Sequence, residues 1–258
     1  MISMAPRYLV AAAACIIALS CGDVPTFADS IVSISPIVFP SPAVAAGDQL
    51  RDSTGAVAPL RVQAYNATNA PIQNVSATFV VSSVPPGVTI DAKGIVTALD
   101  SVRTVQVVGR VGDRLQTTIA ALEVVPQPDS IEQSVVIDSL TTLAKSSALQ
   151  VRISALRGGV RVPVKAIIVR YQITRVNGLT AVDSNYFKLL DDGNSTLRSD
   201  PRLGVDTTDA GGVAARFLTP VVLPGTTSVE VEARATNLRG AALKGSPIRF
   251  VLPVKKGP

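Results

Sequence analysis

The stretch Val229-Glu230-Val231-Glu232-Ala233-Arg234-Ala235 alternates apolar and polar side chains without a break. In an extended chain successive side chains point to opposite faces, so this pattern predicts a strand with one buried and one wet face. Leu149-Gln150-Val151-Arg152-Ile153-Ser154-Ala155 and Leu60-Arg61-Val62-Gln63-Ala64-Tyr65 read the same way. Thr78-Phe79-Val80-Val81, Val105-Gln106-Val107-Val108 and Thr118 to Val124 are further strand candidates, as are Val164 to Ile173 and Ile248 to Leu252. Turn signals separate them at Asn69-Ala70-Pro71, Pro85-Pro86-Gly87, Lys93-Gly94 and Gly112-Asp113. No segment keeps a 3.6-residue period, although Asp138 to Leu149 leaves room for a helical turn. Many short strands with frequent turns predict an all-β chain built as β-sandwiches.

Composition narrows the chemistry. The chain has 258 residues, 47% of them hydrophobic and 17% charged, enough apolar matter for real cores. It contains no histidine, which removes Ser-His-Asp and Cys-His catalysis and any imidazole metal site. Its two cysteines, Cys15 and Cys21, both lie near the N-terminus, so the body after them has neither disulfide nor thiol chemistry. Six Lys/Arg against eight Asp/Glu give residues 22–127 a net charge of −2, while seventeen against eleven give residues 128–258 a net +6. The basic half suits an anionic envelope partner such as polysaccharide, or is simply a set of solvated strand faces. With 4% aromatics and no tight cluster of cations interleaved with them, nucleic acid is not an expected partner.

The N-terminal segment decides the location. Arg7 is followed by an uncharged run that ends at Ala18-Leu19-Ser20-Cys21, with Gly22 and Asp23 after it. A cation, a short apolar stretch and a small-residue boundary make a secretory leader, too short for a comfortable membrane span. Ala18 to Cys21 resembles the lipobox of bacterial lipoproteins. The resemblance implies a leader over 1–20, lipid attachment at Cys21 and anchorage to the cell envelope. Gly22 in the place after the cysteine implies an outer-membrane address in a diderm organism. Cys15, preceded by Ala12-Ala13-Ala14, is the competing site, and a plain leader or an uncleaved anchor is the remaining reading.

Residues 21–30 read as a short tether. Val125-Pro126-Gln127-Pro128 then breaks the strand pattern, and two prolines make a stiff connector. Asp129-Ser130-Ile131 repeats Asp29-Ser30-Ile31 one hundred residues on, which marks the start of a second β-rich block. The expected organisation is a first domain over 31–125, a linker over 126–128, a second domain over 129–254 and a tail over 255–258.

Two motifs give the blocks a family character. Thr89-Ile90-Asp91-Ala92-Lys93-Gly94-Ile95-Val96-Thr97-Ala98 resembles the hairpin of group 2 bacterial immunoglobulin-like domains, with Asp91 and Gly94 making the turn. Thr208-Asp209-Ala210-Gly211-Gly212-Val213-Ala214 resembles the signature of group 1, the invasin-like modules. There Asp209 closes a turn on its own backbone and Gly212 permits the reversal into the next strand. In such modules Thr208, Asp209 and Gly212 hold the fold. The resemblance therefore implies two tandem immunoglobulin-like sandwiches with no catalytic residue, no cofactor and no metal.

Other motifs have bland explanations. Asp191-Asp192-Gly193-Asn194-Ser195 lacks the alternating ligands and distant glutamate of an EF-hand, and reads as an Asp-Gly loop. Asp206 with Asp209, or Asp191 with Asp192, could be offered as a carboxylate pair for hydrolysis, and no other feature supports a cleft. Asn66-Ala67-Thr68, Asn74-Val75-Ser76 and Asn194-Ser195-Thr196 fit glycosylation sequons. The expected function is a non-enzymatic, lipid-anchored envelope protein serving as spacer, adhesion or assembly element, with an envelope polysaccharide or protein as partner. The alternative is a carbohydrate-binding accessory lipoprotein, which would need exposed aromatics; the chain has no Trp and only Tyr8, Tyr65, Tyr171 and Tyr186. A membrane β-barrel is disfavoured by the scarcity of aromatics and by 18 prolines.

Overall fold

In a computed structural model of the protein, the structure describes residues 30–136, 139–141, 146, 148–180, 187–190, 200, 202–221 and 228–255. All regular structure among them is strand. Residues 1–29, with the expected leader and Cys15 and Cys21, the Asp191–Ser195 stretch and Tyr186 lie outside the described residues.

The first half contributes β1 (Ser33–Ile34), β2 (Ala43–Ala45), β3 (Ala64–Tyr65), β4 (Pro71–Ile72), β5 (Thr78–Val81), β6 (Val88–Ile90), β7 (Val96–Ala98), β8 (Arg103–Val111), β9 (Leu115–Gln116) and β10 (Ala120–Val125). One sheet runs β2-β10-β8-β5, with β9 beside β8; facing it are β1-β3-β4 and the β6-β7 hairpin. Val44, Leu60, Val96, Val105, Val107 and Leu122 fill the space between the layers.

The second half contributes β11 (Ser130–Gln133), β12 (Leu140–Thr141), β13 (Leu149–Arg157), β14 (Val160–Pro163), β15 (Ile168–Val176), β16 (Leu179–Thr180), β17 (Phe187–Leu190), β18 (Leu203–Thr207), β19 (Val213–Pro220), β20 (Ser228–Ala235) and β21 (Ile248–Lys255). Its sheets run β11-β13-β19-β17 and β12-β21-β20-β15-β16, with β14 beside β13 and β18 beside β15. The alternation read in the sequence places the apolar side chains as expected, but on the faces expected to be wet Ser154 and Glu232 are buried. Ser154 is bonded to Ser130 and Arg161, and Glu232 is paired with Arg234 and Arg249. Leu149, Val151 and Ile153 of β13 face inward toward Val229 and Val231 of β20, while Arg152 is exposed and Glu230 half-buried. Tyr171 is buried among them and its hydroxyl donates to the Ala214 carbonyl at 2.9 Å. Burial pushes that phenol far above its ordinary range.

In both halves an early strand switches sheets and pairs in parallel with the last strand, β2 with β10 and β12 with β21. In the second half the order β11-β13-β19-β17 against β21-β20-β15 is the ABED-on-GFC arrangement of an immunoglobulin sandwich. The chain is therefore two tandem immunoglobulin-like β-sandwiches. The described sheets are open and stacked in layers.

Several expected elements sit differently. The strand expected over Val164 to Ile173 begins only at Ile168. Residues before it form a turn with Ala166 at φ 61°, clamped by Thr208, and apolar character alone does not distinguish such a buried turn from a strand. From Leu60 to Tyr65 only Leu60 and Ala64 are buried, with Val62 half-buried like Gln63, and regular pairing narrows to Ala64–Tyr65 plus a bridge from Arg61 to Val38. In Asp138 to Leu149 the regular structure among the described residues is strand, at Leu140–Thr141 and from Leu149. Lys255, expected in the tail, ends β21.

Candidate functional site

Asp91 and Asp209 perform the same task in the two sandwiches. The Asp91 Oδ1 accepts from the amides of Lys93 and Ile95 at 2.9 and 2.8 Å. Its own carbonyl accepts from Gly94, whose φ is +81°. The Asp209 Oδ1 accepts from Gly211 and Val213 at 2.8 and 2.9 Å, and Gly212 bonds the Asp209 carbonyl at φ +72°. This is a type I turn closed by a left-handed residue, the usual way to reverse a chain in three residues. The short Asx side chain supplies two bonds that solvent would otherwise supply.

The same turn recurs at two places the sequence reading did not mark, Asp52 and Asn237, and at one it did, before Asn69-Ala70-Pro71. The Asp52 Oδ1 accepts from Thr54 and Ala56 with Gly55 at φ +88°, and the Asn237 Oδ1 accepts from Arg239 and Ala241 with Gly240 at φ +84°. The Asn66 Oδ1 does so from Thr68 and Ala70, with Asn69 in the glycine position at φ 61°. The first of the sequons is thus a turn. The signal that could have found all of them is an Asp or Asn followed three residues later by Gly or Asn.

Thr208 and Gly212 are held in place by the strands around them. The Thr208 hydroxyl is buried, donates to the Val164 carbonyl at 2.8 Å and accepts from the Ile167 amide at 3.0 Å. A Cβ on Gly212 would run into the Ile153 carbonyl and lie 3.1 Å from Val164 N. Asp206 and Asp209, the candidate carboxylate pair, are both committed to main chain. Asp206 accepts from Ala215 at 2.7 Å and from Thr207 at 2.8 Å. Among the described residues no group of three or more Asp, Glu, Cys or His could hold a metal ion. None of the described aromatic side chains is fully exposed, so no sugar-stacking platform is present among them.

What the geometry does bring together is the junction between the sandwiches. At the end of β10, Val124 belongs to the first core while Val125, with Ala43 of β2, belongs to the second. Pro126 and Pro128, read as a connector, are buried. Lys165 Nζ reaches Glu123 at 2.7 Å and Thr104 Oγ1 at 3.3 Å. Arg239 Nε pairs with Asp48 at 2.6 Å, and Asp48 also takes a bond from Arg51 at 3.3 Å. Burial works to raise the Asp48 pKa, but hydrogen bonds from Arg239, the Gln49 amide and Arg51 outweigh it and hold the carboxyl below its ordinary range. A cleft of about 30 Å³ remains between Ser41, Arg51 and Ser53 of the first half and Ile168, Arg170 and Asn237 of the second. The Lys165–Glu123 pair is partly exposed and contributes little, whereas the largely buried Asp48 carboxylate adds to the constraint supplied by the fit of main chain and apolar groups.

No family model matches the chain, and no curated protein matches it. Among solved structures it is similar to the Yersinia pseudotuberculosis adhesin InvE, at 16% identity and TM-score 0.36 over 86% of this chain and 58% of the adhesin. It is similar to domains 4 and 5 of the S-layer protein SbsC, at 11% identity and TM-score 0.33 over 88% of this chain and 100% of that one. It is also similar to the D0-D1 domain of intimin, at 17% identity and TM-score 0.28 over 86% of this chain and 99% of that one. The immunoglobulin-like assignment rests on the strand order itself.

Proposed function

We propose that the chain is a lipid-anchored protein of the bacterial envelope. In this reading its two sandwiches form a stiff, non-enzymatic spacer that carries an adhesion or assembly surface away from the membrane. The observation that favours it is the junction. The second core takes Ala43 and Val125 from the first half, and two ion pairs, Lys165–Glu123 and Arg239–Asp48, cross that seam. Interfaces within a chain default to relative motion unless they are well packed. A sealed seam suits a spacer better than a pair of independently moving binding modules. The anchor rests on the leader read over residues 1–20 and on Cys21 directly after it.

Mass spectrometry of the protein from its native membrane is expected to find an acylated N-terminal Cys21. Cys21→Ala is expected to leave the protein unacylated and absent from washed membranes. A wild-type product with an intact leader, or a soluble one, defeats the anchoring part. Small-angle scattering of the mature chain separately tests the spacer part, which predicts one narrow distribution of inter-sandwich distances.

A further inference from the structure

A groove of about 490 Å³ opens on the first sandwich, with Val62 on one side and Val75, Ser76, Ala77 and Phe79 on the other. It lies toward the end of β8 remote from the junction, since Phe79 pairs with Gly109 whereas Arg103 pairs with Val124. Its walls carry unused main chain. Neither the amide nor the carbonyl of Val62, Val75, Ser76 or Ala77 is hydrogen-bonded among the described residues. Strand β5 pairs only with β8. The Ser82 amide donates to Gln106, so in an antiparallel ladder Val80 and Thr78 face β8, and Phe79 and Val81 present their amides and carbonyls outward. An open strand edge is a template for another strand.

The rim is basic. Arg61 and Lys93 line the groove, both are exposed, and neither has an ion pair among the described residues. The nearest carboxylate in sequence, Asp91, is bonded into its own turn. The one aromatic in the groove, Phe79, is half-buried against the core, which favours a polypeptide over a stacked sugar. We propose that this groove takes an extended acidic polypeptide segment as an added strand. The partner's main chain pairs with Val62 and with the Val75–Phe79 edge, and its carboxylates meet Arg61 and Lys93.

The test uses the full chain and a fluorescein-labelled peptide of about eight residues alternating Val and Glu. Its controls are the Val/Lys counterpart and an acidic version N-methylated at alternate amides. The acidic peptide is expected to bind about ten-fold tighter than the basic one, the factor two rim charges supply. Arg61→Glu with Lys93→Glu reverses that preference, N-methylation abolishes binding, and amide shifts concentrate at Val62 and Val75–Phe79. Equal binding of the N-methylated peptide, shifts elsewhere or no binding overturns the proposal. So does self-association of the chain that excludes the peptide, which gives the edge to a second copy. Binding that appears only when residues 22–29 are deleted also overturns it, by giving the groove to the chain's own tether.

Discussion

Gly55 and Gly240 meet across the seam between the two sandwiches: a Cβ on Gly240 would lie 3.2 Å from the Gly55 Cα and 2.6 Å from the Thr54 carbonyl oxygen. A Cβ on Gly55 would in turn strike the Arg239 carbonyl. Each glycine is also the left-handed residue of an Asx turn, one from each half. Glycine is thus required twice at each place, once for φ and once for the close approach of two backbones.

Gly240→Val is therefore expected to part the seam while leaving both cores intact. The strain at positive φ alone costs on the order of 1 kcal/mol. Small-angle scattering should broaden from one compact arrangement to a spread of inter-sandwich distances, with the β-type circular dichroism spectrum unchanged. A variant that scatters like the parent would show that the junction does not depend on this contact.

Gly212→Val acts inside the second sandwich. It combines the φ penalty with a collision against the Ile153 carbonyl, in a turn that also bonds the Ile153 amide. The expected loss is about 2 kcal/mol or more, several degrees of melting temperature for a domain of this size. The first sandwich should melt unchanged, which two-transition calorimetry would register.

Thr208→Val keeps the shape and removes the hydroxyl. The Val164 carbonyl and Ile167 amide then each lose a bond in a buried place, at a cost of about 1–3 kcal/mol. The denaturant midpoint of the second sandwich should fall, while Thr208→Ser, which retains the hydroxyl, should recover most of it.

Acid should loosen the seam through Asp48. Its folded-state pKa is depressed, so its contribution is complete above the unfolded value of about 3.9 and is lost as pH falls through the depressed value. Fluorescence energy transfer between probes on the two halves is expected to hold steady down to about pH 4 and to drop below it. Asp48→Asn should show the loosened signal already at neutral pH, and a signal indifferent to both changes would remove Asp48 from the junction.

The alternation of Val229 to Ala235 and of Leu149 to Ala155 was sufficient to predict β20 and β13 and their apolar faces, because the two-residue period is a property of the extended backbone. It was not sufficient to predict that Ser154 and Glu232 on the opposite faces would be covered by partners from other strands. The absence of histidine likewise settled whole classes of chemistry without coordinates. Asp91, Gly94, Asp209 and Gly212 were legible because an Asx turn is local: the bonds to the Asp carboxylate and carbonyl that close it lie within five residues, although the Gly94 and Gly212 carbonyls also accept from the distant Leu60 and Ile153 amides. The turns at Asp52 and Asn237 carry the same local signal, but their partnership does not, since Gly55 and Gly240 are 185 positions apart and meet only when both sandwiches are folded. The early start expected for β15 was misplaced for a related reason. Thr208, just past the neighbouring strand β18 and 41 to 44 positions later in the chain, clamps Val164 and Ile167, and no property of those apolar residues announces it. Strand period and turn chemistry are short-range and can be read along the chain. The seam, the groove beside β5 and the pairing of Asp48 with Arg239 depend on how folded surfaces fit together, and only the tertiary structure decides them.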